Sequence, residues 1–388
     1  MNITLSPEQA RKLVLHCQQL PARPKPARPL QTTLRLVEQL GYVQIDTIAV
    51  VARAHHHTLW SRHPAYAPEQ LETLLAGRQV FEYWAHAAAC LPMCDFRFSL
   101  PRKHAIATGQ QDHWYPRDPK LMREVLARIR QEGPLQARDF EGSNMAGAGE
   151  WHSKPAKRAL EYLFHQGDLM VTRRQGFQKV FDLTERVLPA DVDTRLPTDE
   201  EHARFLLTRF LAANGPGQVA EAGYLRKNTG PLLQQVAKRM LKDSELLSVQ
   251  VSGQDWLVLP QTLEYLDRPL PRRRVSILSP FDNLLIQRRR MQTLFGFDYQ
   301  IECYLPAHKR RFGYFSLPLL WDGRFVARMD CKAERGSATL NILQFTLEPH
   351  LKPGSSRHAT FRQQLDIALA DFMAFNHCRQ LVWHAARP

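Results

Sequence analysis

Two side chains able to act on one reacting centre, Gln44 and Asp46, flank Ile45 in GYVQIDTIAVVARAHHHTLWSR, residues 41–62. In an extended backbone, residues two apart point to the same face. A carboxylate beside an amide suits hydrolysis of an N-glycosidic bond. The acid stabilises positive charge developing on the sugar and orients or deprotonates a water, and the amide holds that water or the sugar. The spacing is common, however, and such a carboxylate more often caps a helix, here one that begins at Thr47. The run His55–His57, with His63, offers imidazoles but no separated partner cluster, and neighbours on a helix do not share a face, so no metal site is assigned. The sequence has no glycine-rich phosphate loop and no nucleophile elbow, and no cofactor is expected.

These residues need a scaffold. Residues 7–20 predict a helix, with Ala10, Leu13, Leu15 and Cys17 as apolar positions. The proline-rich stretch 21–29 predicts an extended connector, because proline lacks an amide donor and disfavours helix in the residue before it. Residues 30–40 predict a second helix stopped by Gly41. Residues 47–60 and 68–76 read as helical, and 80–92 as a strand pair or wing.

Two stretches then repeat one order. The first has a helix over 121–131, Gly133-Pro134, a short helix over 136–140, a longer one over 154–167, and a hairpin around Arg173-Arg174-Gln175-Gly176. The second has a helix over 200–213, Gly215-Pro216, helices over 218–226 and 231–242, and a hairpin turning at Ser252-Gly253. Helix, short helix, longer helix and hairpin is the order of a winged helix-turn-helix. After Pro260 short strands follow one another, among them 297–306, with Asp322-Gly323 as the clearest hairpin signal and a closing helix over 355–376. The expected fold is α+β. Three tandem winged-helix units, 1–118 (carrying Gln44 and Asp46), 119–195 and 196–265, precede a mostly β, barrel-like domain over 266–388.

The 388 residues carry 52 Lys and Arg against 38 Asp and Glu, a net charge of +14. That surplus favours a polyanionic partner. No apolar run approaches the roughly 20 residues that cross a bilayer, and residues 1–20 lack the pattern of a secretory signal. The six cysteines form no Cys-x-x-Cys pair, which suits reduced thiols in a cytoplasmic protein.

Fold and charge together suit duplex DNA. Lys154, Lys157 and Arg158 lie near the start of the third helix of the second unit, and Arg173 and Arg174 at its wing tip, where a winged helix meets phosphates. Arg53 and Arg62, on the stretch carrying Gln44 and Asp46, complete the DNA-binding candidates. Arg272–Arg274 and Arg288–Arg290 equally suit phosphate grips or solvated turns. Tyr83 and Trp84 suit core packing better than base stacking. These features accommodate a non-catalytic winged-helix DNA binder or transcription regulator as readily as an enzyme.

GYVQIDTI followed by VARAHHHTLWSRH resembles the signature of the AlkZ/YcaQ family of winged-helix DNA glycosylases, which carries Gln-Φ-Gln or Gln-Φ-Asp with Φ apolar. Gln44-Ile45-Asp46 is similar to the Gln-Φ-Asp form. FEYWAHAAACLP, WHSKPAKRALEYLFHQGDLMVTRRQGFQKVFDLTERVLP, LSPFDNLLIQRRR and GRFVARMDCKAER resemble co-linear segments of that family. Two features depart from it: Ala87 stands where an acid is usual, and His55–His57 where apolar or aromatic residues are. The resemblance implies base-excision repair, with Gln44 and Asp46 catalytic. Its substrates would be N7-alkylated purines and interstrand crosslinks of the nitrogen-mustard type. Three winged helices and the barrel would wrap double-stranded DNA. A cationic N7-alkylguanine leaves without protonation. A crosslinked base is tethered and cannot flip fully, so an open, groove-lining site is expected. No lysine lies between Leu30 and Pro101, which suits a monofunctional hydrolase over a Schiff-base lyase. A monomer associated with the nucleoid in the cytoplasm is expected, with no membrane partner.

Overall fold

The computed structural model describes residues 3–20, 28–140, 155–270 and 274–388. The chain packs as two compact units, one built from Met1–Ala67 with Ala203–Pro388, the other from Pro68–His202. Helices and strands are mixed in both, an α+β fold.

In the first unit, helix Pro7–Cys17 starts with a capping box. Ser6 Oγ accepts the Gln9 amide and Gln9 Oε1 accepts the Ser6 amide, satisfying donors that a helix start leaves open. Its buried Leu13, Val14 and Leu15 pack with Val249, Trp256, Leu278, Phe297 and Phe325 in one core. Strand Ile3–Leu5 pairs in parallel with Leu247–Val251, which turns into Gln254–Val258. Helix Pro29–Leu40 ends where Gly41 takes φ 76°, a left-handed cap that glycine adopts without a Cβ clash. Helices Asp199–Asn214 and Gly230–Lys242 bury Leu207, Leu211, Leu233, Val236 and Met240 against each other.

The second unit holds helix Pro68–Ala76, hairpin Val80–Trp84 with Ala88–Pro92, helices Leu100–Ala107, Pro119–Glu132 and Pro155–Gln166, and hairpin Leu169–Gln175 with Gln178–Leu183. The repeated order read from the sequence is present twice. In each copy the residue after Gly-Pro bridges to the second hairpin strand, Leu135 to Phe181 and Gly217 to Leu257. That extra bridge accounts for the echo: Gly133 and Gly215 take φ 90° and 67°, and the turn they permit brings the residue after each proline alongside the hairpin.

The C-terminal strands form one five-stranded sheet in the order Gln380–Trp383, Thr339–Leu347, Arg324–Glu334, Ser316–Trp321, Ser276–Ile277. Among the described residues its two outer strands each pair on one side only, and the sheet curls as a half-barrel. Asp322 and Gly323, φ 51° and 72°, make the expected tight hairpin turn. Residues 297–306, expected as a strand, are irregular. Glu302, within that stretch, accepts the Phe312 amide through Oε2 at 2.8 Å, and Asp330 accepts the amides of Tyr314 and Phe315 at 3.0 and 2.8 Å, so side chains rather than a paired strand hold the backbone donors of 312–315. Among the described residues no helix is long and apolar enough to cross a membrane.

Candidate active site

The segment carrying Gln44 and Asp46 is not the helix expected over 47–60. A two-residue strand, Val43–Gln44, gives way to irregular backbone, and the helix begins only at Ala54 and runs to Trp60. Ala333 of the C-terminal sheet and Asn376, the residue after helix Ser356–Phe375, take backbone groups of 47–60 that a helix would use, and Asn283 holds the backbone just upstream. Ala333 donates its amide to the Val50 carbonyl at 2.9 Å. Asn376 Oδ1 accepts the Ala52 amide at 2.7 Å, and Asn283 Nδ2 donates to the Tyr42 carbonyl at 2.8 Å. The segment is thus strapped across the first unit at three points. Val43 and Val51 anchor it in the apolar interior.

Within the strap, Gln44 is 8% exposed and Asp46 is half-buried. Asp46 caps no helix. Its Oδ1 accepts the amide of Ile48 at 2.8 Å, a local Asx turn. Its Oδ2 has no hydrogen-bond partner among the described residues. One oxygen therefore fixes the side chain's direction and the other is left for a ligand. The surroundings come from the irregular stretch 297–314, which sequence reading left unassigned to the site. The Asp46 charge is felt at the Cys303 thiol, which burial and then Asp46 push up from its ordinary value. The Tyr304 phenol is raised by burial, by Cys303 and by Asp46. Tyr304 is 76% exposed, an uncovered aromatic within electrostatic reach of the carboxylate. No local pattern near residue 46 announces these neighbours, because the loop is brought in by the sheet.

The DNA-binding candidates separate on inspection. Lys157 and Arg173 are exposed, and Arg158 is half-buried on helix Pro155–Gln166. Lys154 lies outside the described residues. Arg53 is half-buried immediately before helix Ala54–Trp60 and depresses the titration of His56 after burial does. Arg62 is corrected: it is an interior residue ion-paired with Asp282, both side chains 0% exposed. It has no donor left for a phosphate. Arg174 is also committed, forming a bidentate pair with Glu82 at 2.6 and 2.7 Å and donating to the Phe177 carbonyl. Glu82 is buried, so this pair anchors the hairpin. Arg290 is buried too, paired with Glu221 at 2.9 Å, which leaves Arg288 and Arg289 exposed. Arg274 pairs with Asp371 at 3.4 Å, and residues 272–273 lie outside the described set.

The histidine run has structural partners. His57 Nε2 meets the Ile277 carbonyl at 2.9 Å, and His56 Nδ1 meets the Tyr66 hydroxyl at 2.7 Å. Burial lowers both imidazoles to about 4, so they are neutral near pH 7. Tyr83 is interior, donating its hydroxyl to the His165 carbonyl at 2.7 Å. Ala87, standing at the position of a usual acid, accepts the Ala85 amide in the turn of its hairpin.

The whole arrangement has known relatives. The protein-family profile "DNA glycosylase AlkZ-like" matches residues 37–375. The solved structure of Streptomyces sahachiroi DNA glycosylase AlkZ matches with a TM-score of 0.66 at 19% sequence identity, covering 99% of this chain and 100% of that one. The second comparison speaks to the fold. The first spans the strap, both helix–hairpin repeats and nearly all of the C-terminal sheet, and by it the chain belongs to the AlkZ-like family of DNA glycosylases.

Proposed function

We propose that this DNA glycosylase hydrolyses the N-glycosidic bond of N7-alkylated purines in duplex DNA and unhooks crosslinks of the nitrogen-mustard type, with Asp46 and Gln44 as the catalytic pair. The observation carrying this reading is the divided carboxylate of Asp46, one oxygen held by Ile48 and the other unpartnered among the described residues. A carboxylate so oriented stabilises a sugar cation and aligns water without reorganising during the reaction. An N7-alkylated purine already bears positive charge and departs unaided, so no protonated acid is required at the leaving group. The open aromatic face of Tyr304 offers such a cationic base a surface on which to stack.

The remaining parts of this reading follow the same logic. The helix–hairpin repeats serve as winged helices, three in all over 1–118, 119–195 and 196–265. Lys157, Arg158 and Arg173, with Arg53 and Lys154, contact phosphates. The span 30–101 around Gln44 and Asp46 holds no lysine, which favours a monofunctional hydrolase. The chain acts as a monomer on cytoplasmic DNA. The test is Asp46→Asn on duplex carrying 7-methylguanine. Base release should fall by at least about a hundredfold, within the range for removing one general-base or charge-stabilising group, while duplex binding persists. Release at the wild-type rate removes Asp46 from the mechanism.

A further inference from the structure

A second concave site lies in the first unit and shares no residue with the strap. Helix Pro7–Cys17, the Asp322-Gly323 turn and residues 350–357 enclose about 380 Å³, a volume typical of small-ligand pockets. Its lining includes Arg11, Lys12, Arg324, His350 and Arg357, against two acids, Glu8 and Asp322. The cations are only partly neutralised. Arg357 Nη2 donates to Asp322 Oδ2 at 3.0 Å, with its guanidinium 5.4 Å from the centre of the Trp321 ring. Arg11 donates to the Leu294 carbonyl at 3.1 Å and Lys12 to the Leu266 carbonyl, both neutral acceptors. Arg324 is exposed, and none of its donors is used by a described residue.

The crowding leaves an electrostatic trace. The Arg11 guanidinium is held below its ordinary value by burial and then by Arg324, against a smaller opposing pull from Glu8. The His350 imidazole is lowered by burial, Arg324 and Arg357. Like charges gathered around a half-enclosed space repel one another, and an anion placed among them reverses the sign of that interaction. Three guanidinium groups present planar forks of donors, the geometry that matches tetrahedral oxyanions.

We propose that this pocket binds a phosphate group. The group belongs either to a free phosphate ester or to the backbone of the nucleic acid, and the recognising chemistry is common to both. The site stands independently of the role given to Asp46.

The test uses the full chain. Calorimetric titration with inorganic phosphate at constant ionic strength should show saturable binding. Arg324→Gln should weaken it about tenfold, the worth of one charge-assisted hydrogen bond, without changing Tm, because Arg324 holds no structural contact. Anisotropy of a labelled undamaged duplex is measured in parallel. Arg362→Gln, an exposed cation on helix Ser356–Phe375, controls for lost net charge. Weakened phosphate binding with duplex affinity equal to that of the control assigns a free phosphate ester. Duplex affinity about tenfold below the control assigns a backbone phosphate. Two results overturn the proposal when Arg324→Gln binds duplex as the control does: no saturable phosphate binding by the wild-type chain, or binding that Arg324→Gln leaves unchanged.

Discussion

Arg62 and Asp282 form a bidentate ion pair in the interior of the first unit, Nη1 to Oδ2 at 2.6 Å and Nη2 to Oδ1 at 2.8 Å. The other donors of Arg62 go to the carbonyls of Gln18 and Thr58, to Gln18 Oε1 and to Ser61 Oγ. Asp282 Oδ1 also accepts the Leu284 amide. The pair ties the end of helix Ala54–Trp60 to the turn over Ser279–Asp282, where the Asp282 amide donates to the Ser279 carbonyl, and so helps to fix the strap that carries Asp46.

Breaking that pair on one side should be far worse than replacing both sides. Asp282→Ala leaves a guanidinium buried without a counter-charge, at a cost of about 3–5 kcal/mol, whereas a double replacement by apolar residues leaves no orphan charge. Urea denaturation should therefore find Arg62→Met/Asp282→Leu more stable than Asp282→Ala alone. A single variant that loses less than about 1 kcal/mol, the worth of an exposed pair, contradicts the buried geometry.

The strap itself can be loosened away from the reacting groups. Asn376 Oδ1 accepts the Ala52 amide and Asn376 Nδ2 donates to the Phe372 carbonyl at 2.8 Å. Asn376→Ala removes both, at about 1 kcal/mol for each net hydrogen bond. If the strap positions Asp46, kcat for base release falls about tenfold while KM stays near the wild-type value, since small misplacements are costly to catalysis. Unchanged kcat in a folded variant would mean that the other two anchors suffice.

What could be read in advance was mostly local. The cap at Gly41 and the hairpin turns at Ser252-Gly253 and Asp322-Gly323 depend on backbone conformations that few residues adopt, and they appear where the residue types place them. Residues 47–53 read as helix in the sequence but are irregular in the fold, because the groups that hold the strap, Asn283, Ala333 and Asn376, lie far along the chain. Arg62 has the composition of a surface cation, and only the arrival of Asp282 makes it a core residue. Cys303 and Tyr304 reach Asp46 through an irregular loop whose alternating residues mimic a strand. Gln44 and Asp46 stood out by type and spacing, but the unpartnered oxygen of Asp46 belongs to the folded geometry.

Acid should destabilise the protein through its buried imidazoles. Burial lowers His56 and His57 to about 4 and His165 to about 3, while in the unfolded chain each titrates near 6.5. Below pH 6.5 the unfolded state binds protons that the folded state refuses, so stability is intact above that value and declines as pH falls toward 4. Tm followed by circular dichroism should drop across this window. His57→Phe, packing against Phe372 (ring centroids 5.2 Å apart in the native pair), should flatten the slope even if it lowers Tm at pH 7.5. A slope identical to wild type would show that His57 does not contribute.

Lys103 carries the same trend into a more alkaline window. Its ammonium is buried in the second unit, 3.9 Å from the centre of the Phe96 ring and 4.8 Å from that of Tyr83, with no carboxylate partner among the described residues. Burial lowers it to about 7. The aromatic faces offset part of the desolvation cost but not the whole. The unfolded chain holds this proton up to about 10.4, so the penalty is complete below pH 7 and fades as pH rises from 7 toward 10.4. Lys103→Met, which keeps the stem and discards the charge, should raise Tm most below pH 7, with the advantage shrinking across that window. A gain independent of pH would assign the effect to packing, and a loss at pH 6 would mean that the ring of aromatic faces stabilises the cation outright.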